Sequence, residues 1–139
     1  MSAEVWYLDS SALVKTIIEE RESRSLIRWL DTKDALVASE LVRVEAARAV
    51  RVSDPGAVSR ARRAIATLTL IRLDEALYDA AADLHPPSLR SLDAVHLAAA
   101  LSVGGDLAGV VTYDTRMTEA AALLDVHVEA PGRSTRSLR

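Results

Sequence analysis

Short apolar runs alternate with helical patterns along almost the whole chain, and this alternation constrains the fold more than any other feature. Strands are predicted at EVWYLD (4–9), ALVAS (35–39), LTLIRL (68–73), LAGVVTYD (107–114) and DVHVEA (125–130). Helical patterns fill the segments between them. Such alternation predicts a mostly parallel sheet, covered by helices on both faces and joined by right-handed crossovers.

The helix boundaries are predicted from spacing and from capping residues. Asp54, followed by Pro55, and Asp74 are predicted N-caps, and Ser91 is a fair N-cap for the apolar helix SLDAVHLAAAL. The predicted helices cover residues 10–20, 22–31, 40–52, 55–67, 74–84, 91–101 and 115–124.

Length and composition bound the class of protein. A chain of 139 residues, half of them apolar, fits one domain with one core. The absence of cysteine excludes disulfides and thiolate chemistry, and no segment reads as a signal peptide or a membrane span. A cytoplasmic location is the default expectation.

Charge is distributed unevenly along the chain. The net charge is −3, yet the end PGRSTRSLR contains three arginines and no acid. We therefore predict a domain over residues 1–130 that is more acidic than the whole, and a flexible basic tail over residues 131–139. Such a charge balance disfavours binding nucleic acid through one broad basic surface.

Four acidic residues fall where a parallel sheet places its sites, beyond the carboxyl ends of the strands. Asp9 and Asp114 end predicted strands, Glu45 lies about one turn into a helix, and Asp93 lies in the first turn of another. If the strands that lead to Asp9 and Asp114 are neighbours at the switch point, their carboxylates come close together. The other two helix starts could then face the same crevice.

Clustered carboxylates oppose one another's ionisation unless a cation compensates their charge. Hard oxygen ligands favour Mg²⁺ or Mn²⁺, and few carboxylates with several waters suit Mg²⁺ in particular. Such a metal can activate water and stabilise charge on a phosphodiester. The pattern thus predicts an acidic metal pocket.

Around these acids the sequence resembles the PIN-domain family, and specifically the VapC-type toxin ribonucleases of bacterial toxin–antitoxin pairs. The similar segments are YLDSSALVK (7–15), VRVEAARA (42–49), SLDAVHLAAAL (91–101) and VVTYDTRM (110–117). Each segment is weak evidence alone. Four in order, spread nearly end to end along an alternating α/β chain, are a strong signal.

The resemblance implies a three-layer α/β/α sandwich and an endoribonuclease that depends on Mg²⁺ or Mn²⁺. It implies a homodimer, silenced by a VapB-type antitoxin that we expect to insert an arginine or lysine into the acidic pocket. It assigns the catalytic and metal-binding roles to Asp9, Glu45, Asp93 and Asp114. Ser11 and Thr112 match hydroxyl positions that could hold a metal-bound water or orient Asp9 and Asp114.

Three of the four acids also have a purely structural interpretation, whereas Asp9, at the end of a buried strand, has little structural purpose beyond capping. Asp114 could cap the helix that follows it, Glu45 could be a solvated side chain paired with Arg48, and Asp93 could favour the helix dipole. Taken singly, capping by Asp114 and solvation of Glu45 are the better interpretations. Taken together, four acids in family order favour the functional one.

Two further features leave alternatives open. An Asp-x-x-His metal pair of Asp93 and His96 is conceivable, but a packed, hydrogen-bonded histidine is the preferred interpretation. The arginines of SRARRA (59–64) form either a solvated face or a contact for RNA phosphates.

Two other functions compete with the nuclease. A phosphatase forming an aspartyl phosphate would need an acid two residues after its nucleophile, where Ser11 and Arg116 stand, and a late lysine, whereas the only lysines are Lys15 and Lys33. A catalytically weak PIN-like module that only binds its antitoxin is disfavoured by the intact acids.

Overall fold

The structure is a computed structural model that describes residues 4–133. The strands in this range are β1 (Val5–Leu8), β2 (Ala35–Ser39), β3 (Thr69–Ile71), β4 (Leu107–Val111) and β5 (Val128–Glu129). The α-helices are α1 (Ser10–Lys15), α2 (Ser23–Leu30), α3 (Val42–Ser53), α4 (Val58–Ala66), α5 (Glu75–Asp83), α6 (Ser91–Leu101) and α7 (Thr115–Leu123).

The five strands form one parallel sheet in the order β3-β2-β1-β4-β5. Tyr7 on the central strand β1 aligns with Val37 on β2 and with Val110 on β4. The chain builds outward from β1 to β2 and β3, and later returns to add β4 and β5 on the other side. The strand order therefore reverses between β1 and β4, which makes their carboxyl ends the switch point of the sheet.

Alternating side chains of β1 pack against two different helical layers, as the period-two geometry of a strand requires. Tyr7 packs with Ala94 and Ala98 of α6 on one face. Trp6 and Leu8 pack on the opposite face, with Ala12 of α1 and Leu26 of α2.

The neighbouring strand β2 repeats this division. Ala38 packs with Leu13, Val42 and Ile65, which belong to α1, α3 and α4. Val37 packs on the side of α5 and α6. The sheet thus lies between two helical layers, and the expected three-layer α/β/α sandwich is confirmed, with every strand pair parallel.

Helix α1 is shorter than the prediction over residues 10–20. The Thr16 hydroxyl donates to the Leu13 carbonyl at 2.7 Å, and the N–H groups of Thr16 and Ile17 bond carbonyls three residues back. These tighter bonds satisfy the last carbonyls of the helix and end it at Lys15.

Several other boundaries differ from the predictions. The strand predicted to end at Asp114 ends at Val111, and the strands predicted over 68–73 and 125–130 keep only three and two residues. Ser91 is the first helical residue, and Arg90 is the N-cap, with no side-chain capping bond.

The two aspartate caps are confirmed. Asp74 accepts a hydrogen bond from the Leu77 N–H at 2.9 Å and begins α5. Asp54 accepts one from the Gly56 N–H at 3.1 Å, although the segment it caps opens with a short 3-10 helix before α4.

The start of the predicted tail lies against the domain. The Tyr113 hydroxyl donates to the Pro131 carbonyl at 2.6 Å, and the Arg133 guanidinium donates to the Tyr113 carbonyl. The rest of the tail, residues 134–139, lies outside the described residues, and its predicted flexibility stays a prediction. Between Glu4 and Arg133, no helix is both long and apolar enough to cross a membrane.

Candidate active site

Asp9 is held rigidly at the carboxyl end of the central strand. It follows β1 directly, is the N-cap of α1, and is only 3% exposed. Its Oδ1 accepts hydrogen bonds from the Ala12 N–H at 3.1 Å and the Ser11 hydroxyl at 2.6 Å, and its Oδ2 accepts one from the Thr112 hydroxyl. A carboxylate has about four acceptor positions, so these three donors leave room for one further partner.

Burial and hydrogen bonding act on Asp9 in opposite directions. Burial raises the pKa of Asp9, while the donors from Ser11, Thr112 and Ala12 favour its ionised form. Burial is the larger effect, so the pKa of Asp9 lies above its usual range. An uncompensated negative charge is therefore costly at this position.

The two hydroxyls that the sequence singled out tie β1 to β4. Ser11 Oγ also accepts the Tyr113 N–H at 2.9 Å, and Thr112 Oγ1 accepts the Asp114 N–H at 3.1 Å. Ser11 and Thr112 thus orient the Asp9 side chain directly, and Thr112 orients the backbone of Asp114. These contacts are the geometry that the expected orienting role requires, and the role itself stays a prediction.

Asp93 lies in the first turn of α6, and its side chain is nearly enclosed. Only 8% of the residue is exposed, yet its carboxylate accepts no hydrogen bond from any residue between 4 and 133. Burial, followed by the nearby charge of Asp114, raises the pKa of Asp93. A carboxylate that lines a pocket and accepts no hydrogen bond from the described residues is available to a cation or to water.

Asp114 caps a helix and also lines the acidic pocket. It is the N-cap of α7, where its Oδ1 accepts the Arg116 N–H at 2.9 Å. It also lines the pocket that contains Asp9 and Asp93. Capping uses one carboxylate oxygen and leaves the other for a ligand.

Glu45 approaches the same pocket from α3, but its partner is not the one expected from helical spacing. Its Oε1 lies 2.7 Å from His96 Nε2, and no ion pair with Arg48 forms within 4.0 Å in the described part of the chain. The other ring nitrogen of His96 lies 2.7 Å from the Tyr7 hydroxyl. With both nitrogens engaged, His96 is the packed, hydrogen-bonded residue that was preferred over a metal ligand.

The four acids line one pocket of about 340 Å³ at the switch point of the sheet. The sequence analysis did not assign Arg90 and Arg116 to this site, yet both line it. Neither guanidinium has a carboxylate within 4.0 Å among residues 4–133. Their positions directly before α6 and early in α7, each near a pocket acid, were the available signal.

The donor set fits a hard divalent cation held partly through water. Across residues 4–133, no three acidic or imidazole side chains already converge as ligands of one ion. Magnesium is commonly bound by one or two protein carboxylates and retains several waters. The carboxylate of Asp93, which accepts no hydrogen bond from residues 4–133, and the remaining acceptor positions of Asp9 and Asp114 suit such an ion.

The arginines of segment 59–64 lie on α4, and one of them has a structural partner. Arg60 donates to the Ile17 carbonyl at 3.3 Å, so it links α4 to the segment that follows α1. Arg62 and Arg63 are exposed. None of the three lines the acidic pocket.

The chain is similar to known proteins over most of its length. The PIN domain family matches residues 6–123. Ribonuclease VapC46 of Mycobacterium tuberculosis is 46% identical over 125 residues, covering 90% of this chain and 96% of that protein. Ribonuclease VapC35 of the same species is 42% identical over 132 residues, covering 92% and 98%.

A solved structure supports the same assignment at the level of the fold. The crystal structure of Mycobacterium tuberculosis VapC20, described as a sarcin–ricin loop cleaving toxin, superposes with a TM-score of 0.69. The match covers 83% of this chain and 94% of that one at 14% identity, so it compares folds alone. From the family match and the extended similarity to the two ribonucleases, the chain belongs to the PIN-domain family and, within it, to the VapC group.

Proposed function

We propose that this protein is a metal-dependent endoribonuclease that hydrolyses RNA phosphodiester bonds and acts as the toxin of a toxin–antitoxin pair. The observation that carries the proposal is the convergence of Asp9, Glu45, Asp93 and Asp114 on one pocket at the switch point. Relatives named as ribonucleases, at 37–46% identity, support it. Their RNA substrates and antitoxins suggest action in the cytoplasm.

Mg²⁺, with Mn²⁺ as a substitute, is the cofactor that we propose. Asp9, Asp93, Asp114 and Glu45 would hold it, directly or through water. When bound, it would supply positive charge that offsets the carboxylates, activates water and stabilises the charge developing on the phosphodiester.

The chain itself supplies the geometry for this chemistry. Ser11 and Thr112 fix both oxygens of Asp9, so its carboxylate needs no reorganisation when a ligand arrives. Arg90 and Arg116 lie beside the acids and have no ion-pair partner in the described part of the chain, and we propose that they bind the phosphates that flank the cleaved bond. They give an acidic domain a local basic contact for RNA.

The partner that we propose is a VapB-type antitoxin that inserts an arginine or lysine into the pocket. Four carboxylates around a pocket of about 340 Å³ form a site for a cationic side chain as well as for a metal. A structure of the complex tests this point. An antitoxin bound without approaching any of the four acids would contradict it.

The test of the activity is RNA cleavage by the full chain with Mg²⁺ or Mn²⁺, repeated in EDTA and with Asp9→Asn. We expect cleavage with either metal, none in EDTA, and none with the variant. Circular dichroism and gel filtration of the variant serve as controls for folding. Cleavage by Asp9→Asn at the rate of the unmodified chain would overturn the proposal.

The same assay distinguishes the competing functions. A module that only binds its antitoxin would cleave no RNA under any condition while retaining the partner. An aspartyl-phosphate phosphatase would release phosphate from a phosphomonoester and leave RNA intact. The homodimer implied by the resemblance is a separate prediction, which light scattering on the purified chain would measure.

A further inference from the structure

A hydrogen-bonded chain of three side chains runs from the core into the wall of the acidic pocket. Tyr7 Oη lies 2.7 Å from His96 Nδ1, and His96 Nε2 lies 2.7 Å from Glu45 Oε1. The three residues are far apart in sequence and belong to β1, α6 and α3. Tyr7 is fully buried and His96 is 4% exposed, whereas the Glu45 side chain is 24% exposed. The chain therefore leads from the core to the pocket.

Sequence spacing explains how this chain reaches the acids. Tyr7 and Asp9 are two residues apart around the end of β1, and Asp93 and His96 are one helical turn apart on α6. His96 lines the pocket together with Glu45, while Tyr7 lies below them in the core. Among residues 4–133, Glu45 is the pocket acid that is hydrogen-bonded to His96.

The direction of each hydrogen bond follows from the chemistry of the groups. The hydroxyl of a tyrosine bears its proton at neutral pH, so Tyr7 Oη can donate to Nδ1 at a distance of 2.7 Å. A neutral imidazole that accepts at Nδ1 bears its proton on Nε2 and donates it to the carboxylate. Tyr7 thus selects the tautomer that presents an N–H to Glu45.

We propose that His96 is a positioning residue, oriented by Tyr7, that holds the Glu45 carboxylate in the pocket by donating from Nε2. This inference rests on the proposed function, because it assigns His96 a role through Glu45. Glu45 extends from α3 on three rotatable bonds, and Oε1 has no other side-chain donor between residues 4 and 133. The bond removes this freedom and leaves Oε2 for a metal or a bound water.

The geometry also explains why His96 itself is not a ligand. In the tautomer assigned above, Nδ1 accepts a hydrogen bond from the Tyr7 hydroxyl and Nε2 donates one to Glu45. Although His96 lines the pocket, a metal would have to displace one of these two short bonds. The histidine of the Asp-x-x-His spacing therefore acts one step away from the metal.

The experiment is a double-mutant cycle between His96→Leu and Glu45→Gln, with His96→Gln as the conservative rescue. Leucine fills the buried space without a donor, whereas the glutamine amide can present an N–H near the position of Nε2. We expect His96→Leu to lower RNA cleavage by about 10- to 100-fold, the usual effect of removing a partner of a metal ligand. His96→Gln should recover most of that loss.

The cycle separates positioning from general damage to the core. If His96 acts through Glu45, adding His96→Leu to Glu45→Gln should cause little further loss. Full additivity, or full activity of His96→Leu, would overturn the inference. If Glu45→Gln cleaves RNA normally, Glu45 is not part of the proposed active site. That result contradicts the proposed function at Glu45, and the positioning role of His96 fails with it.

Two readouts do not depend on catalysis. The ¹⁵N shifts of the His96 ring should report an unprotonated Nδ1 and a protonated Nε2 in the unmodified chain, and the opposite pattern would overturn the inference. Mn²⁺ affinity, measured without RNA, should fall in His96→Leu and recover in His96→Gln. If His96→Leu does not fold, Tyr7→Phe replaces it, and unchanged Mn²⁺ affinity and cleavage in that variant would overturn the role of Tyr7.

Discussion

At the scale of single residues, Asp93 combines two properties that conflict in a protein without metal. The residue is largely buried, its carboxylate lines the pocket without a hydrogen bond from residues 4–133, and Asp114 places a second negative charge nearby. A side chain that interacted only with the helix dipole would need neither the burial nor the neighbouring acid.

We predict opposite effects of Asp93→Asn on stability and on activity. In EDTA at neutral pH the melting temperature should hold or rise, because the substitution removes a buried charge and its repulsion with Asp114. Cleavage and stabilisation by Mg²⁺ should be lost. If Asp93 interacted only with the helix dipole, the substitution would instead lower the free energy of unfolding by about 0.3–1 kcal/mol and leave cleavage unchanged. The exposed Asp79→Asn is the control and should change stability by less than about 0.5 kcal/mol.

The difference between Asp93→Asn and the unmodified chain should depend on pH in a defined direction. With its raised pKa, Asp93 keeps its proton to higher pH in the folded state than in the unfolded state. That stabilising contribution is complete below about pH 4 and is lost as pH rises through the folded pKa. Melts in EDTA should therefore show the advantage of the variant growing from pH 4 to pH 7. A shrinking advantage would support the helix-dipole role.

Arg90→Gln and Arg116→Gln test the proposed phosphate contacts. Each should raise KM with little effect on kcat, because the contact binds the substrate and the transition state alike. Each should also lower the slope of log affinity against log salt by about one unit. Arg51→Gln, at the far end of α3 and outside the pocket, is the matched control. An unchanged salt slope in both pocket variants would contradict the assignment.

The four acids and the hydroxyls of Ser11 and Thr112 could be located from the sequence, but the other contacts around them could not. Acids after strands and in first turns are visible because parallel topology fixes where those positions meet. The Tyr7–His96–Glu45 chain was not visible, because it depends on side-chain directions from three separate elements. Arg90 and Arg116 were missed for a related reason, since a surface arginine gains meaning only from the carboxylates beside it.

At the scale of elements, the succession of strands and helices along the chain could be predicted, and the residues at which they end could not. Hydrophobic periodicity identifies an element, while its last residue depends on local bonds such as that of the Thr16 hydroxyl, which ends α1 early. The strand predicted through Asp114 ends at Val111, because the Asp114 N–H bonds the Thr112 hydroxyl locally and Asp114 then caps α7. These local bonds explain why the apolar run overstates the strand.

Gly109 on β4 gives a prediction at this scale. A Cβ added there would lie 2.7 Å from the His127 carbonyl oxygen and 2.8 Å from a ring carbon of Trp6. We expect Gly109→Ala to lower the free energy of unfolding by about 1–3 kcal/mol through overpacking, as measured by chemical denaturation. Gly105→Ala, where an added Cβ meets nothing within 4 Å, should not be destabilising. Equal effects of the two substitutions would contradict this packing.

At the scale of the whole molecule, the sandwich determines what the site can be. Alternating side chains of β1 secure helices on both faces, and the reversal of strand order between β1 and β4 leaves a crevice at their carboxyl ends. Four acids from distant parts of the chain line that crevice. The three layers could be predicted from the alternation of strands and helices along the chain. The order of the strands in the sheet could not, because several such orders bury the same apolar faces.

The chemistry of the RNA ends tests the account most directly. Hydrolysis by water, assisted by a metal in the four-acid pocket, predicts products with a 5′-phosphate and a 3′-hydroxyl. Purified full-length chain should give these ends with Mg²⁺ or Mn²⁺, and nothing in EDTA or with Asp9→Asn. Products with 2′,3′-cyclic phosphate ends, formed without metal and retained in Asp9→Asn, would show attack by the RNA's own 2′-hydroxyl and contradict the account.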